Sequence, residues 1–167
     1  MLARKTALVL SSLLASATVA LAQTPSRIEQ FNAWGAYSYD SGKGKVCYVL
    51  SVPADKSPAN VDHGDNFFLV TQRPGQNISY EPQVMAGYSL KGGSKVTADI
   101  DGKTFSFFTK EKSAWLENAA QEPALVAAMK AGKSMKISAV SARGTNTSYT
   151  YSLSGITAAL KKIESCK

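Results

Sequence analysis

The stretch KVTADIDGKTFSFF, residues 95–108, does most to limit what this chain can fold into. Val96, Ala98 and Ile100 alternate with Lys95, Thr97 and Asp99, and Phe105 and Phe107 alternate beyond Asp101-Gly102. A period of two puts each set on one face of a strand. Asp-Gly tolerates the positive φ angles of a tight type I′ turn, so the stretch predicts a β-hairpin with one buried face. SMKISAVSARGTNTSYTYSL, residues 134–153, repeats the design. Met135, Ile137 and Ala139 share one face, Tyr149, Tyr151 and Leu153 share a face of the next strand, and residues 143–146 turn between them.

The rest of the chain follows the same habit with two exceptions. FNAWGAYSYD predicts a strand over residues 31–39, with Phe31, Ala33, Gly35, Tyr37 and Tyr39 on one side. DSGKGK turns, and residues 46–52 return. Residues 53–65 read as a loop, and NFFLVTQ as a short strand buried on both sides. ISYEPQVMAGYSL reads as two strand pieces parted by Pro82, which cannot donate to a ladder. SAWLENAAQEPALVAAMKAG is rich in Ala, Leu and Met and predicts two short helices kinked near Pro123 and stopped at Gly132. In SGITAALKKI, Ile156, Ala159, Leu160 and Ile163 fall at helical spacing, with Lys161 and Lys162 facing out. The sum is an all-β chain: a single β-sandwich-like domain of antiparallel hairpins, with two or three short helices covering an open end or edge.

The first residues read as a cleaved secretory signal peptide. Arg4 and Lys5 precede an uncharged apolar run, Ala7 to Leu21, and Ala20-Leu21-Ala22 is a small-x-small cleavage site. The run is too short and too rich in Ala and Ser to span a membrane well. The expected organisation is a signal peptide over residues 1–22, cleavage between Ala22 and Gln23, a flexible arm over 23–30, and one β domain over 31–167. The mature form then has no transmembrane span. Loss of Arg4 and Lys5 lowers the formal charge from +7 to +5, and the remaining lysines are scattered. That describes a solvated basic surface and no nucleic-acid footprint.

Export places Cys47 and Cys166, the two cysteines of the chain, in an oxidising compartment. An even count with none spare predicts one disulfide. It would clasp the last helix onto the strand carrying Cys47. With no CxxC and a single histidine, a redox pair or a zinc site is disfavoured.

No residue pattern carries catalysis. His63, between Asp62 and Asp65, is the one candidate base, but no G-x-S-x-G elbow accompanies it, and it reads as a solvated loop histidine. Asp99 and Asp101 could share a strand face, yet Asp101 already has a turn to make. Neither a metal site nor a cofactor site is assigned. The seven tyrosines favour core placement, whereas a row of exposed ones would mark a recognition face.

The order of GYSLKGGSKVTADIDGKTFSFF, AWL, LVAAMKAG, SARGTNTSYTYSLSGITAAL and Cys166 resembles the invasion-associated locus B family of alphaproteobacterial exported proteins. The likeness runs from about Trp34 to the end and is strongest from Gly87 to Cys166. It implies a small exported β-rich domain, periplasmic or at the cell surface, whose members in intracellular pathogens are associated with entry into host cells. The resemblance brings no catalytic residues with it. The reading is therefore a non-enzymatic envelope or cell-surface protein that binds an unidentified envelope or host protein. Two alternatives stand beside it: a small periplasmic hydrolase using His63, and a small-ligand carrier with an apolar cavity lined by Phe and Tyr.

Overall fold

The computed structural model describes residues 24–166. The signal segment, the Ala22–Gln23 cleavage site and Lys167 lie outside them.

Among the described residues eleven strands form one antiparallel sheet. They are β1 (Ser26–Phe31), β2 (Trp34–Asp40), β3 (Lys45–Ser51), β4 (Asp55–Ser57), β5 (Phe67–Arg73), β6 (Ile78–Met85), β7 (Lys95–Ile100), β8 (Lys103–Lys110), β9 (Ser113–Leu116), β10 (Ser134–Val140) and β11 (Asn146–Ser152). Their order across the sheet is β1-β2-β3-β5-β6-β9-β8-β7-β10-β11-β4. The helices are α1 (Glu122–Ala131) and α2 (Ile156–Ile163).

One face of the sheet is closed on itself. Phe68 on β5 makes edge contacts with Phe107 on β8 and Tyr151 on β11, at centroid distances of 6.2 and 6.1 Å. Trp34 on β2 meets Phe68 at 6.3 Å and donates its indole N–H to the Ser152 carbonyl at 2.9 Å. The open sheet thus curls until β2 and β5 face β8 and β11, and its two halves act as the layers of a sandwich. All four of these rings are at 0% exposure, so they fill the space between the layers. The expected hairpins are present: Val96 faces Phe107, Ala98 faces Phe105, and Asp101 and Gly102 turn with φ of 52° and 81°.

Both helices cover this inner core. Ile156, Ala159, Leu160 and Ile163 of α2 are buried in it, and α2 packs against β1, β2 and β3. Leu125, Val126, Ala128 and Met129 of α1 are buried likewise. Cys166, just past α2, is bonded to Cys47 of β3, with Cα atoms 5.9 Å apart. The start of α2 is fixed by a close approach: at Gly155, with φ of 94°, the Phe31 carbonyl occupies the place of a Cβ.

Several local expectations are corrected. Residues 26–30 are no loose arm; they pair with β2, because Asn32, at φ 49°, closes a tight turn between the two strands. In β2 Trp34 and Ala36 enter the inner core, so Tyr37 and Tyr39 point outward, and Gly35 on their side is buried beneath the Tyr37 ring. Ser113–Leu116 is a strand where the sequence suggests helix, and only a short 3₁₀ turn, Ala119–Gln121, precedes α1. Ala114 and Leu116 are buried there while Ser113 and Trp115 are half-buried, a period of two hidden by alanine-rich flanks. Pro82 lies within one continuous strand, since β9 pairs with β6 only from Gln83 onward and leaves Pro82 at an edge on that side. Asp55–Ser57, inside the expected loop, pairs with β11.

Candidate functional site

The outer face of one half of the sheet is rich in aromatic and aliphatic side chains, edged by polar ones. The register places Gly35, Leu50, Leu69, Gln83, Trp115 and Phe108 in one row across β2, β3, β5, β6, β9 and β8. The neighbouring row runs Tyr37, Tyr48, Thr71 and Glu81. Phe108 is 46% exposed and the other large side chains of the first row are half-buried, while Met85, on the row beside it with Phe67 and Ser113, is 38% exposed. Such a contiguous face is informative where a scattered apolar residue is not.

Aromatic rings organise this face. Tyr37 and Tyr48 stack, Tyr39 meets Tyr48 edge-on at 6.3 Å, and Phe108 stacks on Trp115 at 5.9 Å. The Tyr37 ring also lies over Gly35, 2.7 Å from where a Cβ would stand. Val46, opposite Tyr39, is 2% exposed without belonging to the inner core, because the tyrosines cover it. Burial first, then Tyr37 and Tyr39, raise the Tyr48 pKa above its ordinary value. Beyond β8 the outer rows turn polar: Thr97, Ser138 and Ser148 in one, Asp99, Lys136 and Thr150 in another.

His63 is buried, at 6% exposure, which corrects its reading as a solvated residue. Its Nε2 is 2.9 Å from the Pro58 carbonyl and its Nδ1 is 2.8 Å from the Tyr149 hydroxyl. Tyr149 reaches Tyr88 at 3.0 Å, and Tyr88 reaches Thr147 at 2.6 Å. A carbonyl only accepts, so Nε2 carries a proton. Tyr149 donates to Tyr88, and Thr147 Oγ1 donates to the Ala139 carbonyl at 3.3 Å, so the chain of hydroxyls ends on the backbone. It has no serine in it, and both ring nitrogens are engaged.

The other sequence candidates hold structure together. Asp62 Oδ1 accepts from the Gly64 N–H at 2.9 Å, and Asp65 is exposed. Asp99 accepts from Gly102 N and the Thr104 hydroxyl, both at 3.4 Å. Among the described residues no group of three or more His, Cys, Asp or Glu side chains could hold a metal ion. Among the same residues no helix is long and apolar enough to cross a membrane.

The family model described as invasion associated locus B (IalB) protein matches residues 34–164. The chain belongs to this family. The match begins at Trp34, the ring that joins the two layers, and ends just before the disulfide that closes α2 onto β3. Both the aromatic face and the His63 relay lie inside it. No curated protein and no solved structure matches the chain. The invasion-associated locus B family is not a known enzyme family.

The sequence points to the tyrosines as a group but not to the face they form. Two signals were present in it: Trp34 and Ala36 at alternate positions, and Trp115 flanked by the buried Ala114 and Leu116.

Proposed function

We propose that this is an exported envelope or cell-surface protein of the invasion-associated type, which acts without catalysis by binding a protein partner through its aromatic outer face. The observation that carries the reading is the set of aromatic and aliphatic side chains on two adjacent rows of an outer sheet face, with the stacked Tyr37 and Tyr48 at one end and the stacked Phe108 and Trp115 at the other. Tyr and Trp are the side chains that most often anchor interfaces, since they bring large, stiff area at small entropic cost. The Cys47–Cys166 disulfide supports export, because such bonds persist in oxidising compartments.

The two rival readings have less support. A hydrolase needs a nucleophile beside the imidazole, and His63 bonds to Tyr149 and a carbonyl. A carrier needs an interior space, and Trp34, Phe68, Phe107 and Tyr151 occupy it.

Site-specific photo-crosslinking in intact cells tests the proposal. A photoreactive residue at position 48 and, separately, at position 108 should give an adduct with one and the same protein. Positions 136 and 150, on the polar outer rows, should not. Equal adducts from all four positions, or none from 48 and 108, would overturn it.

A further inference from the structure

A second site lies away from the aromatic face, in a cleft of about 550 Å³ whose wall includes His63. That volume falls in the range of small-molecule sites, roughly 300–1,000 Å³. Four segments build it: the loop carrying His63, the segment with Tyr88, the β8–β9 turn with Lys112, and the turn between β10 and β11 with the start of β11.

The walls are fixed before any ligand arrives. Asn66, 3% exposed, donates to the His63 carbonyl at 2.8 Å and accepts from the Gly87 N–H at 3.3 Å. Gly64 and Gly87 cross with their backbones in contact, a separation no side chain would allow. On the opposite wall Ser141 and Thr145 bond through their backbones at 2.9 Å, and the Ser141 hydroxyl accepts from Thr145 N at 3.1 Å. The Ala142 N–H donates to the Ser89 carbonyl at 2.8 Å, tying that turn to the segment with Tyr88. Preorganisation of this kind removes an ordering cost from binding.

The charge of the cleft is unbalanced. Lys112 and Arg143 both line it, both are exposed, and among the described residues neither has an ion-pair partner. The single carboxylate in the lining, Asp62, already accepts the Gly64 N–H. Arg is suited to bidentate recognition of carboxylate and phosphate, and Lys supplies a point charge beside it. Tyr88 and Thr147 add hydroxyls to the wall, and because Tyr88 accepts from Tyr149, its own proton can turn from Thr147 to a ligand.

We propose that this cleft binds a small organic oxyanion, a carboxylate or a phosphate ester, with Lys112 and Arg143 meeting its charge and the Tyr88 hydroxyl seating it. The site is separate from the aromatic face, so it can be occupied while a protein partner is bound.

Titration of the oxidised protein with phenyl phosphate, benzoate and the neutral benzyl alcohol, followed by amide NMR, tests it. Saturable shifts at Gly64, Tyr88, Arg143 and Thr145 are expected with either anion and not with the alcohol; which anion binds more tightly separates the phosphate from the carboxylate source. A Lys112→Gln/Arg143→Gln double variant, changed only on the surface, should bind at least about tenfold more weakly, the loss expected when two charge-assisted contacts go. Tyr88→Phe should weaken binding while leaving the Lys112 and Arg143 amides in place. Shifts spread over the lysine-bearing surface and tracking ionic strength, or a double variant that binds as the parent does, would overturn the proposal. Neither result bears on crosslinking from positions 48 and 108.

Discussion

Tyr37 and Tyr48 stack across the β2–β3 pair with ring centroids 5.2 Å apart and planes inclined by 13°. The pair faces out of the sheet, so its contribution to the fold is small and its contribution to recognition is large. Tyr48→Ala is expected to cost about 1 kcal/mol of stability, the worth of one aromatic pair. The same change should weaken partner binding by about 2 kcal/mol or more, as loss of an interface anchor does. Urea denaturation alongside an affinity measurement gives both figures. Thr150→Ala, on a polar outer row, should change neither. If Tyr48→Ala lowers stability by several kcal/mol and leaves affinity alone, the tyrosines are a structural patch and the face is not a docking surface.

The disulfide acts on the opposite side of β3. It closes a separation of 119 residues and fastens the end of α2 against the strand that carries Cys47. A crosslink over a loop of that length stabilises by about 4–5 kcal/mol on chain-entropy grounds. A Cys47→Ala/Cys166→Ala double variant, which leaves no lone thiol, should lose most of that in a urea titration. Hydrogen exchange should show α2 losing protection before the strands do, since its remaining ties are one apolar face, the Lys162–Glu29 ion pair and the Tyr80–Glu164 hydrogen bond, both at 2.8 Å. A loss below about 1 kcal/mol would mean that the apolar face of α2 holds the helix by itself.

The hairpins and the last helix were legible because each is specified locally. Val96 to Phe107 alternates without interruption around an Asp-Gly turn, and Ile156 to Ile163 keeps helical spacing to the residue. What escaped was set by distant partners. β1 is a strand because β2 offers it a free edge, and nothing in the polar run from Ser26 to Gln30 announces that. β4 is three residues that pair only because β11 ends the sheet beside them. The burial of His63 is not legible because the sequence does not bring Tyr149, 86 positions away, beside it. The aromatic face is a product of register: Leu50, Leu69 and Trp115 become neighbours only when β3, β5, β6 and β9 lie side by side.

The loop that carries His63 depends on one glycine contact. A Cβ on Gly87 would collide with the His63 carbonyl and stand 2.5 Å from the Asp65 nitrogen. Backbone atoms cannot swing aside as a side-chain end can, so Gly87→Ala should displace residues 62–65 and cost about 1–3 kcal/mol, as overpacking does. Amide NMR should show changes confined to that loop, to residues 86–89 and to Tyr149, as the His63–Tyr149 bond is pulled apart. Gly92→Ala, with open space around the added carbon, serves as the control and should be silent. Equal effects from both variants would show that the crossing tolerates a methyl group.

Alkaline pH reads the buried hydroxyls directly. Burial first, then the hydrogen bond and charge of Glu164, push the Tyr80 pKa up to about 12, and its hydroxyl donates to Glu164 Oε1 at 2.8 Å. Tyr149 and Tyr151 are also raised, again with burial as the leading cause. An unfolded tyrosine titrates near pH 10, so as pH rises the unfolded chain gives up its protons first. The stability these groups contribute is therefore complete below about pH 10 and is lost progressively as the pH climbs through about 12. The urea midpoint should stay level from about pH 8 to about pH 9.5 and fall beyond about pH 10. Tyr151→Phe isolates one share of that fall. The Tyr151 hydroxyl is buried and has no hydrogen-bond partner among the described residues, so removing it should cost nothing at neutral pH and should gain about 1 kcal/mol. The same variant should lose less stability than the parent between about pH 10 and about pH 12. A parent whose midpoint stays flat to about pH 12 would mean that these hydroxyls ionise no later than in an unfolded chain, and the packing of the interior would have to be redrawn around Tyr151.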